Sequence, residues 1–98
     1  FPLPASPGCL AFSPDGRTLA LGGAEAVYLL DSFAGTLTRA LEAWPAGEWP
    51  GEWPSRDVAF SPAGRRLAAA WDSADGTFLW DIENGRVLAR LAYSATPP

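Results

Sequence analysis

A twelve-residue phrase occurs twice in this chain. Residues 9–20 read Cys-Leu-Ala-Phe-Ser-Pro-Asp-Gly-Arg-Thr-Leu-Ala, and residues 57–68 read Asp-Val-Ala-Phe-Ser-Pro-Ala-Gly-Arg-Arg-Leu-Ala. A second phrase follows each copy. Val27-Tyr28-Leu29-Leu30-Asp31 leads to Gly35 and Leu41, and Phe78-Leu79-Trp80-Asp81 leads to Gly85 and Leu91. The first phrase recurs at a spacing of 48 (Cys9 to Asp57) and the second at 50 (Leu30 to Trp80), so the second unit carries two extra residues in its middle. A period of this size constrains the fold strongly. One unit is too small to bury its own apolar faces and must stack on neighbours of the same kind.

Within each unit the apolar pattern is that of short strands. Leu10 and Phe12 alternate with Cys9 and Ala11, so both faces are apolar, as in a strand covered from both sides. Ser13-Pro14-Asp15-Gly16 reads as a tight turn, since proline presets φ at its second position. Strands are then expected at 9–13, 18–22, 26–31 and 36–41, and again at 57–61, 66–71, 77–81 and 86–91. Asn84-Gly85 is the strongest short hairpin signal in the chain. The expected fold is all-β: two four-stranded antiparallel meanders, with no 3.6-residue apolar stripe of helical length. The organisation follows as a proline-rich lead-in (1–8), unit one (9–41), a Trp/Pro/Gly-rich loop (42–56), unit two (57–91) and a tail (92–98).

Four strands, a Ser-Pro-Asp-Gly turn and a Trp-Asp ending resemble the WD-repeat β-propeller family. The second unit carries the resemblance best, with Val58-Ala59-Phe60-Ser61-Pro62, Leu67-Ala68 and Asp75-Gly76-Thr77-Phe78-Leu79-Trp80-Asp81. The first unit has Leu30-Asp31 in place of Trp-Asp and Glu25 where Asp75 aligns. The resemblance implies two propeller blades, with Asp75, Trp80, Asp81 and Asp31 in structural roles. Asp75 would brace its own turn, and Asp31 and Asp81 would satisfy turn amides at the ends of the third strands. The family's Gly-His pair is absent, because the chain has no His, and Ala69 stands where the family tends to place a hydroxyl.

A partial propeller needs further blades, since about four to eight close a ring. They would come from a longer polypeptide or from copies of this chain. The absence of Met even at position 1, and of a recognisable ring-closing strand, favours the longer polypeptide. Richness in Ala, Gly, Pro and Arg, with no Lys, suggests a GC-rich bacterial gene.

Charge and composition narrow the chemistry. The net charge of −4, with seven arginines and no lysine, speaks against nucleic acid as a partner, because phosphate binding needs clustered basic side chains. No apolar run approaches the roughly 18 residues of a membrane span, so no membrane partner is expected. The lone Cys9 cannot form an internal disulfide, and the expected location is cytoplasmic. Cys9 reads as a small buried apolar residue of an innermost strand. Without His, and with a single Cys, neither histidine-assisted nucleophilic catalysis nor a metal site is expected, and no cofactor.

The unit-linking loop holds three of the five tryptophans and Gly-Glu-Trp-Pro twice in tandem. Trp44, Trp49 and Trp53, with Glu48 and Glu52, form the candidate partner-binding loop. Tryptophan is enriched where proteins bind one another, and proline lowers the entropy cost of ordering a loop. The same rings could instead fold back over the blade edges. The expected role is a non-catalytic protein-interaction scaffold or sensor module within a larger propeller. The alternative is a catalytic or carbohydrate-binding propeller whose active residues lie outside this chain; Glu48 and Glu52 beside Trp platforms would suit a sugar ring.

Overall fold

A computed structural model describes residues 7–43, 54–71 and 76–91. Its described residues contain eight strands and no helix: β1 (Cys9–Phe12), β2 (Thr18–Gly22), β3 (Ala26–Asp31), β4 (Leu37–Glu42), β5 (Asp57–Phe60), β6 (Arg66–Ala70), β7 (Thr77–Asp81) and β8 (Arg86–Leu91). They form two separate four-stranded sheets, each in the order of the chain and each antiparallel throughout. The all-β reading and the pair of meanders hold.

Strand ends differ from the sequence expectation by a residue at several places. β4 starts at Leu37 and not Thr36, because the Thr36 carbonyl accepts the Asp31 N–H and closes the preceding loop. β1 and β5 stop before Ser13 and Ser61, whose N–H and C=O groups are committed to the turns that follow. β6 ends at Ala70, which leaves Trp71 one residue beyond the strand. The Asn84-Gly85 connection is also longer than a two-residue hairpin. A type I′ turn needs positive φ at both central residues, whereas only Gly85 has it (φ 68°) and the connection runs from Ile82 to Gly85.

Register follows the repeat. Ala11, Ala20 and Leu29 stand in one cross-strand row, and Ala59, Ala68 and Leu79 in the equivalent one. Both outer hairpins carry a bulge at the same point, between Leu29 and Leu30 and between Leu79 and Trp80. A bulge sets two residues against one and increases local twist. In unit one the bulge is braced by the Thr38 hydroxyl, which donates to the Leu29 carbonyl (2.9 Å).

The core lies between the sheets. Sheet one contributes Ala20, Val27, Leu29 and Leu41, and sheet two Val58, Leu67, Ala69, Phe78 and Trp80, with Ala43 and Trp71 at the same seam. The innermost strands β1 and β5 lie against each other. The aromatic rings of the described core, Phe78, Trp80 and Trp71, all come from sheet two and the residue that follows β6. Phe78 and Trp80 stack with ring centres 5.8 Å apart, and the Trp71 ring meets both edge-on at 5.8 and 6.3 Å. Such aromatic contacts add about 0.5–1.5 kcal/mol each beyond area burial.

Candidate functional site

The seam between the sheets is also where the unit-linking loop is rooted. Trp44, Glu48, Trp49, Glu52 and Trp53 lie outside the described residues, as does Asp75. The two roots of the loop are described in full. On the entering side Ala43 is buried, and the Glu42 carbonyl accepts the indole N–H of Trp80 (3.1 Å). On the leaving side Ser55 is completely buried, and its N–H donates to the Gly23 carbonyl (2.9 Å). The same carbonyl accepts the indole N–H of Trp71 (3.1 Å). Two indoles of sheet two thus hold two carbonyls of sheet one, within a buried seam where an unmet carbonyl is costly.

Ser55 and its neighbours are absent from the sequence reading. The Cys9 thiol donates to the Ser55 carbonyl at 3.3 Å and lies 3.4 Å from its hydroxyl. Cys9 is half-buried and engaged with polar atoms, so the expectation of a simply buried apolar residue is corrected. The fit around it requires glycine at position 22. A Cβ there would collide with the Ser55 hydroxyl and lie 2.5 Å from the Cys9 sulfur. The signal in the sequence was the Gly22-Gly23 pair at the end of a strand, a usual mark of close backbone approach. Arg39 is a second omission: it reaches across the seam from β4 and donates to the Glu83 carbonyl (2.9 Å) in the β7–β8 turn.

The aspartates at the strand ends hold turns. Asp31 accepts the N–H groups of Phe33 and Ala34, both at 2.9 Å. Those bonds hold its carboxyl below the ordinary carboxylate range. Asp81 accepts the Glu83 N–H (3.0 Å). In the first turn, Asp15 accepts the Ser13 hydroxyl (2.6 Å) and the Arg17 N–H (3.0 Å), which lower its pKa in that order. Unit two has Ala63 there, and the Ser61 hydroxyl alone accepts the Arg66 N–H (3.0 Å). A general acid at neutral pH needs a raised carboxyl pKa; Asp15 and Asp31 are both shifted the other way.

A cleft of about 160 Å³ opens between the β1–β2 and β5–β6 turns, lined among others by Ser13, Asp15, Thr18, Phe60 and Ile82. It falls short of the roughly 300–1,000 Å³ of ordinary small-molecule sites. Among the described residues no three His, Cys, Asp or Glu side chains are grouped to hold a metal ion, and no helix is long and apolar enough to cross a membrane.

No protein-family model matches the chain, and no curated protein matches it. Among solved structures, the β-propeller domain of Cps50 (Swd1) from Myceliophteria thermophila superposes with a TM-score of 0.78 at 21% identity, over 96% of this chain and 27% of that one. The chain therefore spans little more than a quarter of the solved propeller it matches. Its two sheets are two blades of a β-propeller, in keeping with the WD-repeat resemblance of the sequence. At this identity the likeness is one of fold.

Proposed function

We propose that this chain is a non-catalytic protein-interaction module, a blade pair within a larger WD-repeat-like propeller. In this reading the loop of Trp44, Glu48, Trp49, Glu52 and Trp53 is its contact surface for a protein partner. The observation that carries the reading is the rooting of that loop. Glu42 and Ser55, 13 positions apart in sequence, are each bonded into the buried seam between the blades. A loop with fixed ends loses less entropy on binding, and its Trp rings are the side chains most often found at interaction hot spots. Function concentrates in loops carried on a rigid scaffold.

The test is to select binders from a random peptide library and, in parallel, to probe a glycan array with the same chain. Peptide binders that are lost on combining Trp49→Ala with Trp53→Ala, and kept by Phe33→Ala, are the expected result. Phe33 is a suitable control because it is 85% exposed in the β3–β4 turn, at the end of β4 opposite Glu42. Glycan binding without any peptide binder would replace this reading with the carbohydrate-binding alternative.

A further inference from the structure

The tryptophan-rich loop is rooted at one end of the strands, where β4 finishes and β5 begins. β5 runs from there to Phe60, so the cleft of about 160 Å³ between the β1–β2 and β5–β6 turns opens at the other end. Its lining comes wholly from the two described blades, on either side of their shared seam. An apolar cavity of about 150 Å³ holds one benzene ring, so a cleft of this size suits a single side chain.

The lining is of two kinds. Phe60, Ile82, Pro14 and Ala63 supply apolar walls, and Asp15 and Thr18 supply oxygen. The Asp15 carboxylate is fixed in place. Its Oδ1 accepts the Ser13 hydroxyl (2.6 Å) and the Arg17 N–H (3.0 Å), and Ser13 is itself buried. Oδ2 accepts no bond from another described residue, and the Thr18 hydroxyl has no bonding partner among them. No described arginine comes within ion-pair distance of the carboxylate, and Arg17 acts on it only from further off.

The turn forms without this carboxylate. Unit two has Ala63 in its place and makes the same turn. Gly16 and Gly64 both have φ of 74°, and their N–H groups donate to the Ser13 and Ser61 carbonyls at 2.9 and 2.8 Å. A fixed anionic oxygen beside apolar walls, with no counter-ion in reach, is complementary to a cation carried on an apolar stem.

We propose that this cleft takes one lysine side chain of a protein partner. The methylenes lie along Phe60 and Ile82, and the ammonium donates to Asp15 Oδ2 and the Thr18 hydroxyl. Lysine suits the cleft better than arginine, because a guanidinium fork engages both carboxylate oxygens and Oδ1 is already engaged twice. A calcium ion takes about six to eight oxygen ligands, and among the described residues no three His, Cys, Asp or Glu side chains are grouped to hold a metal. An anion would meet Asp15 on a chain of net charge −4. This contact lies at the opposite end of the strands from the tryptophan-rich loop and does not depend on it.

The test is an NMR titration of the isotope-labelled 98-residue chain with short capped peptides that differ only in one central residue: lysine, arginine or norleucine. The lysine peptide is expected to bind weakly and saturably, moving the amide signals of Thr18, Gly64 and Ile82. The norleucine peptide, with the stem and no charge, is expected to leave them in place. Asp15→Asn keeps an acceptor for Ser13 and Arg17 and should weaken lysine binding about fivefold, the upper range for a partly solvated ion pair. Ala63→Leu fills the cleft from an exposed turn position and should abolish binding while melting like the parent. Asp31→Asn changes the net charge equally but lies off the cleft, and should bind like the parent. Trp49→Ala combined with Trp53→Ala should also bind like the parent, which separates this result from the fate of the loop reading. Cleft signals that the lysine peptide leaves unmoved overturn the proposal, as does equal lysine binding by the parent and Asp15→Asn. Loss of binding in the double tryptophan variant would move the lysine to the loop and overturn it too. An arginine peptide that binds more tightly than the lysine peptide overturns the choice of lysine.

Discussion

Trp80 is the largest fully buried side chain among the described residues, and truncating it tests the seam directly. The ring is 0% exposed, stacked on Phe78 and edge-on to Trp71, and its N–H holds the Glu42 carbonyl at the root of the unit-linking loop. Replacing a buried Trp by Ala costs about 3–5 kcal/mol from lost burial and the cavity left behind. The abandoned carbonyl adds about 1 kcal/mol, the usual net worth of one hydrogen bond. Against a total stability of about 5–15 kcal/mol, this removes a large share. For a domain of this size it lowers Tm by roughly 15 °C or more, at about 4–8 °C per kcal/mol. Trp80→Phe keeps a ring in the stack and loses the N–H, so its loss should be well under half of the alanine variant's.

The assay is urea unfolding followed by far-ultraviolet circular dichroism, because fluorescence would be confounded by removing one of five tryptophans. Protein concentration must be held fixed, since association raises apparent stability by mass action. Trp49→Ala, in the unit-linking loop, serves as the comparison and is expected to change stability by no more than about 0.5 kcal/mol. Equal midpoint shifts for Trp80→Ala and Trp49→Ala would refute the reasoning. So would an alanine variant at position 80 that costs less than about 1 kcal/mol, since the seam could then not depend on that ring.

Gly22→Ala is expected to destabilise by about 1–3 kcal/mol, the usual cost of overpacking, because the new methyl meets the Ser55 hydroxyl and the Cys9 sulfur; adding Cys9→Ala or Ser55→Gly to it should recover part of the loss in the same unfolding assay. Acid should weaken the fold through Asp15 and Asp31, whose folded pKa values lie below the ordinary value of about 4. The sign follows: their contribution is complete above the unfolded pKa and is lost as pH falls from about 4 through the lowered folded values. A Tm-against-pH curve below pH 4 should therefore be flatter in Asp15→Asn and Asp31→Asn than in the parent, and an unchanged slope in both would show that these turn bonds add nothing to stability.

The fold was legible because its signals are local and occur twice. Alternation at Leu10 to Phe12 and again at Val58 to Phe60, closed each time by Ser-Pro-Xaa-Gly, reports strand and turn without any long-range information. The strand limits were legible only to within a residue. Whether Thr36 or Leu37 opens β4 depends on the Asp31–Thr36 bond, which no propensity encodes. The partners of Ser55, Gly22 and Arg39 were illegible for a different reason. Each acts across the seam, on a partner 33 to 46 residues away along the chain, as in the Cys9–Ser55 and Arg39–Glu83 contacts. Periodicity reports which face of a strand is apolar; it does not report which backbone of the neighbouring sheet will approach that face.

The difference between the blades carries the same lesson into function. In the repeat, large residues sit on one side of each blade and small ones on the other: Phe12 against Ala11, Leu19 against Ala20, Phe60 against Ala59, Leu67 against Ala68. A blade with two equivalent faces could stack in either sense, and its register would be poorly specified. The bulky-into-shallow pairing removes that freedom and makes the order of blades a property of the side chains. Specific bonds are then added where the order must be kept. Trp80, Trp71 and Arg39 lock the seam by donating to the Glu42, Gly23 and Glu83 carbonyls, and the corresponding positions of the other repeat are Leu30, Gly23 and Ala89. The seam locked in this way also fixes both roots of the tryptophan-rich loop.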